Sequence, residues 1–176
     1  YARLMVHARQ NAFWIPLSLN FKMADNGPEL NRPRLRRLVR LFTDAGMHYI
    51  EGGHLANRSG GKWEASTFDT ALTKLQATTP EGHAVLASLC RQLNDEIHHQ
   101  GWQNRWLQHV TDEPIPANAA DYRILVGMVH KAMPGIPIID ATQDPKLVGS
   151  VDIWCPQVQE YQHDRAAYEA QRALGD

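Results

Sequence analysis

The stretch Leu107 to Pro114, LQHVTDEP, ends a short apolar run on two adjacent carboxylates, Asp112 and Glu113, and then on a proline. Val110 and its neighbours have the character of a buried strand, predicted over Leu107 to Thr111. Pro114 has no N–H to give a sheet ladder, so the strand stops where the charge begins. The acids are therefore expected at the C-terminal mouth of a strand. In parallel sheets covered by helices, ligands bind at that edge, because the loops leaving the strands converge there.

The same reading extends to both sides of this stretch. Asn11 to Leu19, with Phe13, Trp14, Ile15 and Leu17, reads as a first buried strand, which Pro16 weakens. Met47 to Gly52 is a second, running out into Gly53 and His54. Ile136 to Asp140 and Val151 to Cys155 are the fourth and fifth, joined by a loop through Gln143, Asp144 and Pro145 and stopped by Pro156. Helices fall between them. Leu35, Leu38, Val39, Phe42 and Ala45 recur at helical spacing up to Gly46, with Arg34, Arg36, Arg37 and Arg40 on the other sides.

Thr79 as N-cap and Pro80 in the first turn open a helix whose apolar face is Leu86, Leu89, Cys90, Leu93 and Ile97, closed by Gly101. Asn118 to Met133 carries Tyr122, Leu125, Val126 and Val129 on one side and ends on Pro134 and Gly135. Tyr1 to Arg9 reads as the tail of a helix. A last helix starts at Asp164, with Tyr168 and Leu174 facing inward and Gly175 past its end. Asp25 to Pro28 is a turn cluster, and Asn57 to Lys62, NRSGGK, has the composition of a surface loop.

Strand alternating with helix is the signature of parallel βαβ units, and strands apolar on both faces fit a sheet sandwiched between helices and a filled interior. Two architectures fit: an open doubly wound sheet, or part of an eight-stranded barrel. No GxGxxG or GxxxxGK[ST] loop follows any strand, which disfavours the nucleotide-binding open sheets. The expectation is an incomplete (β/α)8 TIM barrel of about five parallel strands alternating with helices, with residues 1–176 part of one domain.

Composition narrows the functional classes. The chain has 176 residues and 43% hydrophobic content, enough for one domain core. Lys plus Arg at 18 against Asp plus Glu at 19 leaves a formal charge of -1, so no net field draws it to nucleic acid or anionic lipid. No apolar run reaches the length of a membrane span. Cys90 and Cys155 are the only cysteines, and their patterns predict two buried thiols rather than a disulfide framework. They leave the compartment undecided.

The polar groups at the predicted strand ends are Glu51 and His54, then Asp112 and Glu113, then Asp140, then Trp154 and Gln157. The plainer reading of Asp112 and Glu113 is a pair of solvated acids complementing a helix N-terminus. That accounts for their charge but not for their place after a buried strand. Neighbouring carboxyls sharing one desolvated pocket cannot both ionise cheaply, so one is expected to keep a proton and serve as a general acid. Glu113 has the longer arm. Acid chemistry beside an aromatic platform such as Trp154 suits a sugar, whose C–H face stacks on indole while its hydroxyls meet Asp, Glu and His. His109, Asp112 and Glu113 also form a possible divalent-metal set with His54 or Glu51, although the spacing matches no zinc motif.

The run HVTDEP, Tyr122, MPGIPIIDA at Met133 to Ala141, VDIWCP at Val151 to Pro156, Tyr161 and RALGD at the end resemble the catalytic domain of glycoside hydrolase family 123. So do ARQN at Ala8 to Asn11 and IEGGHL at Ile50 to Leu55. The resemblance implies a (β/α)8 barrel and an exo-acting, retaining N-acetyl-β-galactosaminidase that uses no metal or organic cofactor. Its substrate is a terminal β-linked 2-acetamido sugar, whose acetamido oxygen attacks the anomeric carbon in place of an enzyme nucleophile. By the same resemblance Asp112 holds and polarises the acetamido N–H, and Glu113 is the general acid and base. Glu51, His54, His109, Asp140 and Trp154 are the substrate-binding candidates. The family barrel carries further strands, so the chain is expected to be a fragment, inactive when isolated. A glycan-binding barrel without turnover and a metal-dependent hydrolase are the other readings.

Overall fold

A computed structural model describes residues 1–142 and 144–174 of the chain. Gln143, read above as part of a loop, and Gly175, read as a helix stop, lie outside the described residues. In chain order the elements are α1 (Ala2–His7), β1 (Ala12–Ile15), β2 (Phe21–Ala24), β3 (Gly27–Leu30), α2 (Arg32–Thr43), β4 (Tyr49–Gly52), β5 (Ala56–Arg58), β6 (Phe68–Thr70), α3 (Pro80–His99) and β7 (Trp106–Gln108). They continue with α4 (Ala119–Ala132), β8 (Ile139–Asp140), β9 (Ile153–Trp154), α5 (Val158–His163) and α6 (Arg165–Leu174).

The fold is mixed α/β and is built on a three-stranded parallel sheet in the order β1-β4-β7. A parallel bridge joins Gln108, at the end of β7, to Ile138, and β8 pairs in parallel with β9. α2, α3 and α4 lie in the connections up to β8, as the alternating pattern predicts. No helix separates β8 from β9 among the described residues.

One face of the sheet is covered. Phe13, Ile15, Ile50 and Trp106 are buried there, and the Phe13 ring stacks on Phe42 of α2 at 4.6 Å. The other face departs from the expectation of strands buried on both sides. Trp14 and Glu51 are register partners, and Trp14 remains 47% and Tyr49 40% exposed. Alternation of side chains along a strand puts these residues opposite the core set.

Helix boundaries follow the sequence signals. The Asn31 side chain accepts from Arg34 N at 3.0 Å, and Thr79 Oγ1 accepts from Gly82 N at 3.2 Å, so each cap satisfies an N–H that the helix cannot. Glu96 of α3 is buried and accepts both guanidinium bonds of Arg36 at 2.6 and 3.0 Å, which clamps α2 onto α3.

Several expectations are corrected. The first strand stops at Ile15 instead of reaching Leu19, because Pro16 breaks the ladder and a 3-10 turn, Leu17–Leu19, follows. The third strand ends at Gln108, short of Thr111. The turn at Asp25 and Asn26 joins an antiparallel hairpin, β2 with β3, whose Gly27 takes φ 109°. Gln92 of α3 anchors that hairpin, accepting from Leu30 N at 3.1 Å and donating to Pro28 O at 2.6 Å. NRSGGK belongs partly to a second hairpin, β5 with β6.

Two more corrections concern the C-terminal half. Tyr168 is buried as expected, but Leu174 is 77% exposed, and α5 is an additional short helix. Cys90 is buried, which pushes its thiol up to about 12, whereas Cys155 is exposed.

Candidate active site

Close approach of backbones builds the mouth of the sheet. A Cβ on Gly53 would lie 2.9 Å from Ile15 O, and one on Gly52 would meet the Trp106 ring at 2.8 Å, so only glycine lets β4 leave the sheet this way. The buried Gln108 side chain then ties the strand ends together. It accepts from Trp106 Nε1 at 3.0 Å and donates to Gly53 O at 2.8 Å and His109 O at 2.7 Å. Beyond β7, Val110 O accepts from the N–H groups of Leu55 and Ala56, each at 3.0 Å. The chain has left the ladder but is still held.

His109 sits at the centre of a charged cluster. Its Nδ1 lies 2.7 Å from Oδ1 of Asp140 and its Nε2 lies 2.5 Å from Oε1 of Glu51, and its side chain is only 12% exposed. Asp140 also accepts from the Tyr122 hydroxyl at 2.5 Å and from Val110 N at 3.2 Å. A neutral imidazole has one N–H, so two carboxylates on its two nitrogens call for the imidazolium. Burial by itself lowers His109, but the hydrogen bonds and charges of Asp140 and Glu51 outweigh it and raise the imidazole to about 9.

The neighbouring groups follow the same physics. Glu51 is held below the ordinary carboxylate range, chiefly by the His109 hydrogen bond. Burial pushes Asp140 up, opposed by His109, Tyr122 and Val110. Burial also pushes Tyr122 up, and the Asp140 charge adds to it. His54 is lowered, first by burial and then by the His109 charge, while Asp112, Asp140 and Glu51 pull it the other way. The His54 ring stands edge-on to His109 at 5.3 Å and to Trp14 at 6.2 Å. The site therefore sets a second imidazole, shifted toward its neutral form, beside a fixed imidazolium.

The acidic pair lies on the loop after β7, and its two members have unlike surroundings. Asp112 is exposed. Glu113 is half-buried, takes φ 42°, and accepts at Oε1 from the Gln157 amide. The left-handed backbone there disfavours a residue with a Cβ and needs support from its neighbours. Arg58 provides it, donating from Nη2 to Glu113 O at 2.5 Å while its guanidinium stacks 4.0 Å over the Trp63 ring.

Among the sequence candidates, the structure joins Glu51, His109 and Asp140 directly and sets His54 beside them. Trp154 is the register partner of Asp140, but its indole is engaged elsewhere. Its indole N–H donates to Val151 O at 3.0 Å and its ring meets Tyr168 edge-on at 5.9 Å. It lines a hollow of about 360 Å³ together with Tyr161, Tyr168 and Arg172, and neither acid lines that hollow. The exposed aromatic near His54 is instead Trp14, which sequence reasoning assigned to the core. Strand alternation opposite Phe13 and Ile15 was the signal that could have found it. Gln157 was named as a strand-end group and Tyr122 on a helix face, but their contacts, and any part for Arg58, were not legible, because nothing local in the sequence says what a side chain will reach.

Both ring nitrogens of His109 are engaged by carboxylates, which leaves neither free as a metal ligand. No group of three or more His, Cys, Asp or Glu is arranged to hold a metal ion among the described residues. No helix among them is long and apolar enough to cross a membrane.

No family model matches the chain, and no curated protein matches it in sequence. In three dimensions it is similar to a family 123 glycoside hydrolase from Clostridium perfringens, the subject of a structural study of glycolipid glycan hydrolysis. The TM-score is 0.63 at 11% identity, over 89% of this chain. The chain spans 30% of the length of that structure. At this identity the likeness speaks for the fold.

Proposed function

We propose that the chain is part of the catalytic barrel domain of a glycoside hydrolase. In this reading it is an exo-acting β-N-acetylhexosaminidase of the N-acetyl-β-galactosaminidase type. The observation that carries the reading is the acidic pair Asp112 and Glu113, in the loop after β7 at the mouth of a parallel sheet, with His109 at the end of the same strand and Glu51, His54 and Asp140 from the others. Parallel strand segments lying side by side in chain order are what a (β/α)8 barrel opened along one side requires, and the likeness in fold supports that architecture.

The mechanism that suits neighbouring acids is substrate-assisted. A nucleophile and acid on opposite sides of a sugar stand about 5 Å apart across the bond they cleave, whereas consecutive residues in one loop approach from one side. In this reading Asp112 accepts the 2-acetamido N–H and so makes the amide oxygen more nucleophilic. That oxygen forms a bond to C1 as the C1–O bond to the leaving group breaks, and Glu113 gives its proton to the leaving oxygen. Water then attacks C1, the ring formed with the acetamido oxygen reopens, and Glu113 takes the proton back. Two inversions at C1 give retention. Glu51 and His54, on the open side near the indole of Trp14, are the groups proposed to meet the sugar hydroxyls.

The test is hydrolysis of an aryl 2-acetamido-2-deoxy-β-galactoside by the full-length protein and by its Glu113→Gln and Asp112→Asn variants. The reading expects both variants to lose activity by about a hundredfold or more. Undiminished turnover in Glu113→Gln removes the assignment. Saccharide binding in calorimetry with no product from the wild type would make it a glycan-binding module.

A further inference from the structure

We propose that Gln157 is a positioning residue for Glu113, holding one carboxyl oxygen so that the other delivers and recovers the proton. The inference rests on the reading of Glu113 as the acid and base, and it assigns a role to a residue on a different strand end. Gln157 occupies the N-cap position of α5, and its main-chain carbonyl accepts from Tyr161 N at 2.8 Å, so the helix fixes where its side chain starts. From there its Nε2 donates to Oε1 of Glu113.

An ionised carboxylate only accepts, so the N–H end of the Gln157 amide faces Glu113, and Gln157 Oε1 is left to accept from Gln159 Nε2. The carbonyl oxygen of a carboxylic acid is a better acceptor than its hydroxyl oxygen, so an N–H on Oε1 favours the proton of the acid form on Oε2. Meanwhile Arg58 holds the main-chain carbonyl of the same residue at 2.5 Å, so Glu113 is fixed from two directions. Only the Oε2 side remains to face the leaving oxygen in the first step and the attacking water in the second. A carboxyl free to rotate would present the proton in several directions, and positioning of this kind is a recognised part of the barrier.

The experiment compares two substrates on the full-length protein: an alkyl and a 2,4-dinitrophenyl 2-acetamido-2-deoxy-β-galactoside. The alkoxide leaves only with a proton, while the dinitrophenolate leaves without one. For Gln157→Met the expected result is a loss of about a hundredfold in kcat on the alkyl glycoside with KM within about twofold. On the dinitrophenyl glycoside the leaving-group step, read as the pre-steady-state burst of dinitrophenolate, is expected to slow by less than about threefold, because only the later attack of water then needs Glu113. Gln157→Glu, which keeps the side-chain size but replaces the donor by an acceptor, is expected to show the same split and serves if the Met variant does not fold. A dinitrophenolate burst slowed as much as alkyl turnover, or no loss in either, overturns the proposal. Glu113→Gln separates the two levels. If it abolishes turnover of the alkyl glycoside while Gln157→Met matches wild type, only the role of Gln157 falls; if it turns over at the wild-type rate, both readings fall.

Discussion

Nδ1 of His109 lies 2.7 Å from Oδ1 of Asp140, so a side chain following β7 and a fully buried carboxylate ending β8 form one ionic unit. Glu51 on the opposite ring nitrogen makes it a carboxylate-imidazolium-carboxylate bridge across three strand ends. The bridge joins strands by charge where the ladder between them has thinned to a single backbone bridge at Gln108 and Ile138.

His109 should titrate near pH 9, well above an ordinary imidazole. Because its folded pKa lies above its unfolded one, its contribution is complete below about 6.5 and is lost as pH rises through about 9. Glu51 is lowered, so its contribution is present above its ordinary value of 4.5 and is lost as pH falls below that. These two groups therefore stabilise most between those limits. Urea unfolding should show stability declining from pH 6.5 to 9 by on the order of 3 kcal/mol or less. An imidazole C–H resonance of His109 that titrates at 6.5 would sink the bridge as described.

Replacing His109 by Ala should cost about 3 kcal/mol, because Asp140 is then buried with only the Tyr122 hydroxyl and the Val110 N–H for company. Adding Asp140→Asn to that variant should recover part of the loss by removing the stranded charge. The denaturation midpoints of the two single variants and the double one form a cycle that reads the coupling. Strict additivity would contradict it.

Trp14→Ala should leave the fold nearly unchanged, since the indole is almost half exposed on the open sheet face. As the proposed platform near His54, it should act on binding. KM is expected to rise by about tenfold with kcat within about twofold, because stacking on an indole stabilises the bound sugar equally in the ground and transition states. Steady-state kinetics reads the split, and an unchanged KM would mean that the sugar does not use this ring.

Gly82→Ala should destabilise the protein although alanine is the better helix former. An added Cβ would collide with the backbone carbonyl of Gln76, which cannot turn aside as a flexible side chain would. Helix propensity favours Ala by about 1 kcal/mol, and overpacking of this kind costs roughly 1–3. A net loss of up to about 2 kcal/mol in urea unfolding is expected. A gain in stability would show that the turn before α3 yields.

The strong periodic helices were legible because each carries its own signals. Thr79 and Pro80 start α3, Gly46 follows α2, and the apolar faces predicted for α3 and α4 are the buried ones. The hairpin strands were not, since β2, β3, β5 and β6 are at most four residues long and gain their stability from partners rather than from pattern. For the site, the sequence pointed to Glu51, His54 and Asp140 at separate strand ends and to His109 within a predicted strand. It contained no indication that three of them touch.

By itself the sequence determined the order of the five parallel strand segments and of the helices α2, α3 and α4 between them, and the position of Asp112 and Glu113 after β7, because hydrophobic period, capping residues and proline act within a few residues of chain. Only the tertiary structure decided that His109 is charged, that Trp14 faces outward while Trp154 turns toward Tyr168, and that Gln157 and Arg58 hold Glu113. Those outcomes depend on which groups from distant segments meet and how far water is excluded between them, and electrostatic energy follows distance and burial rather than position along the chain.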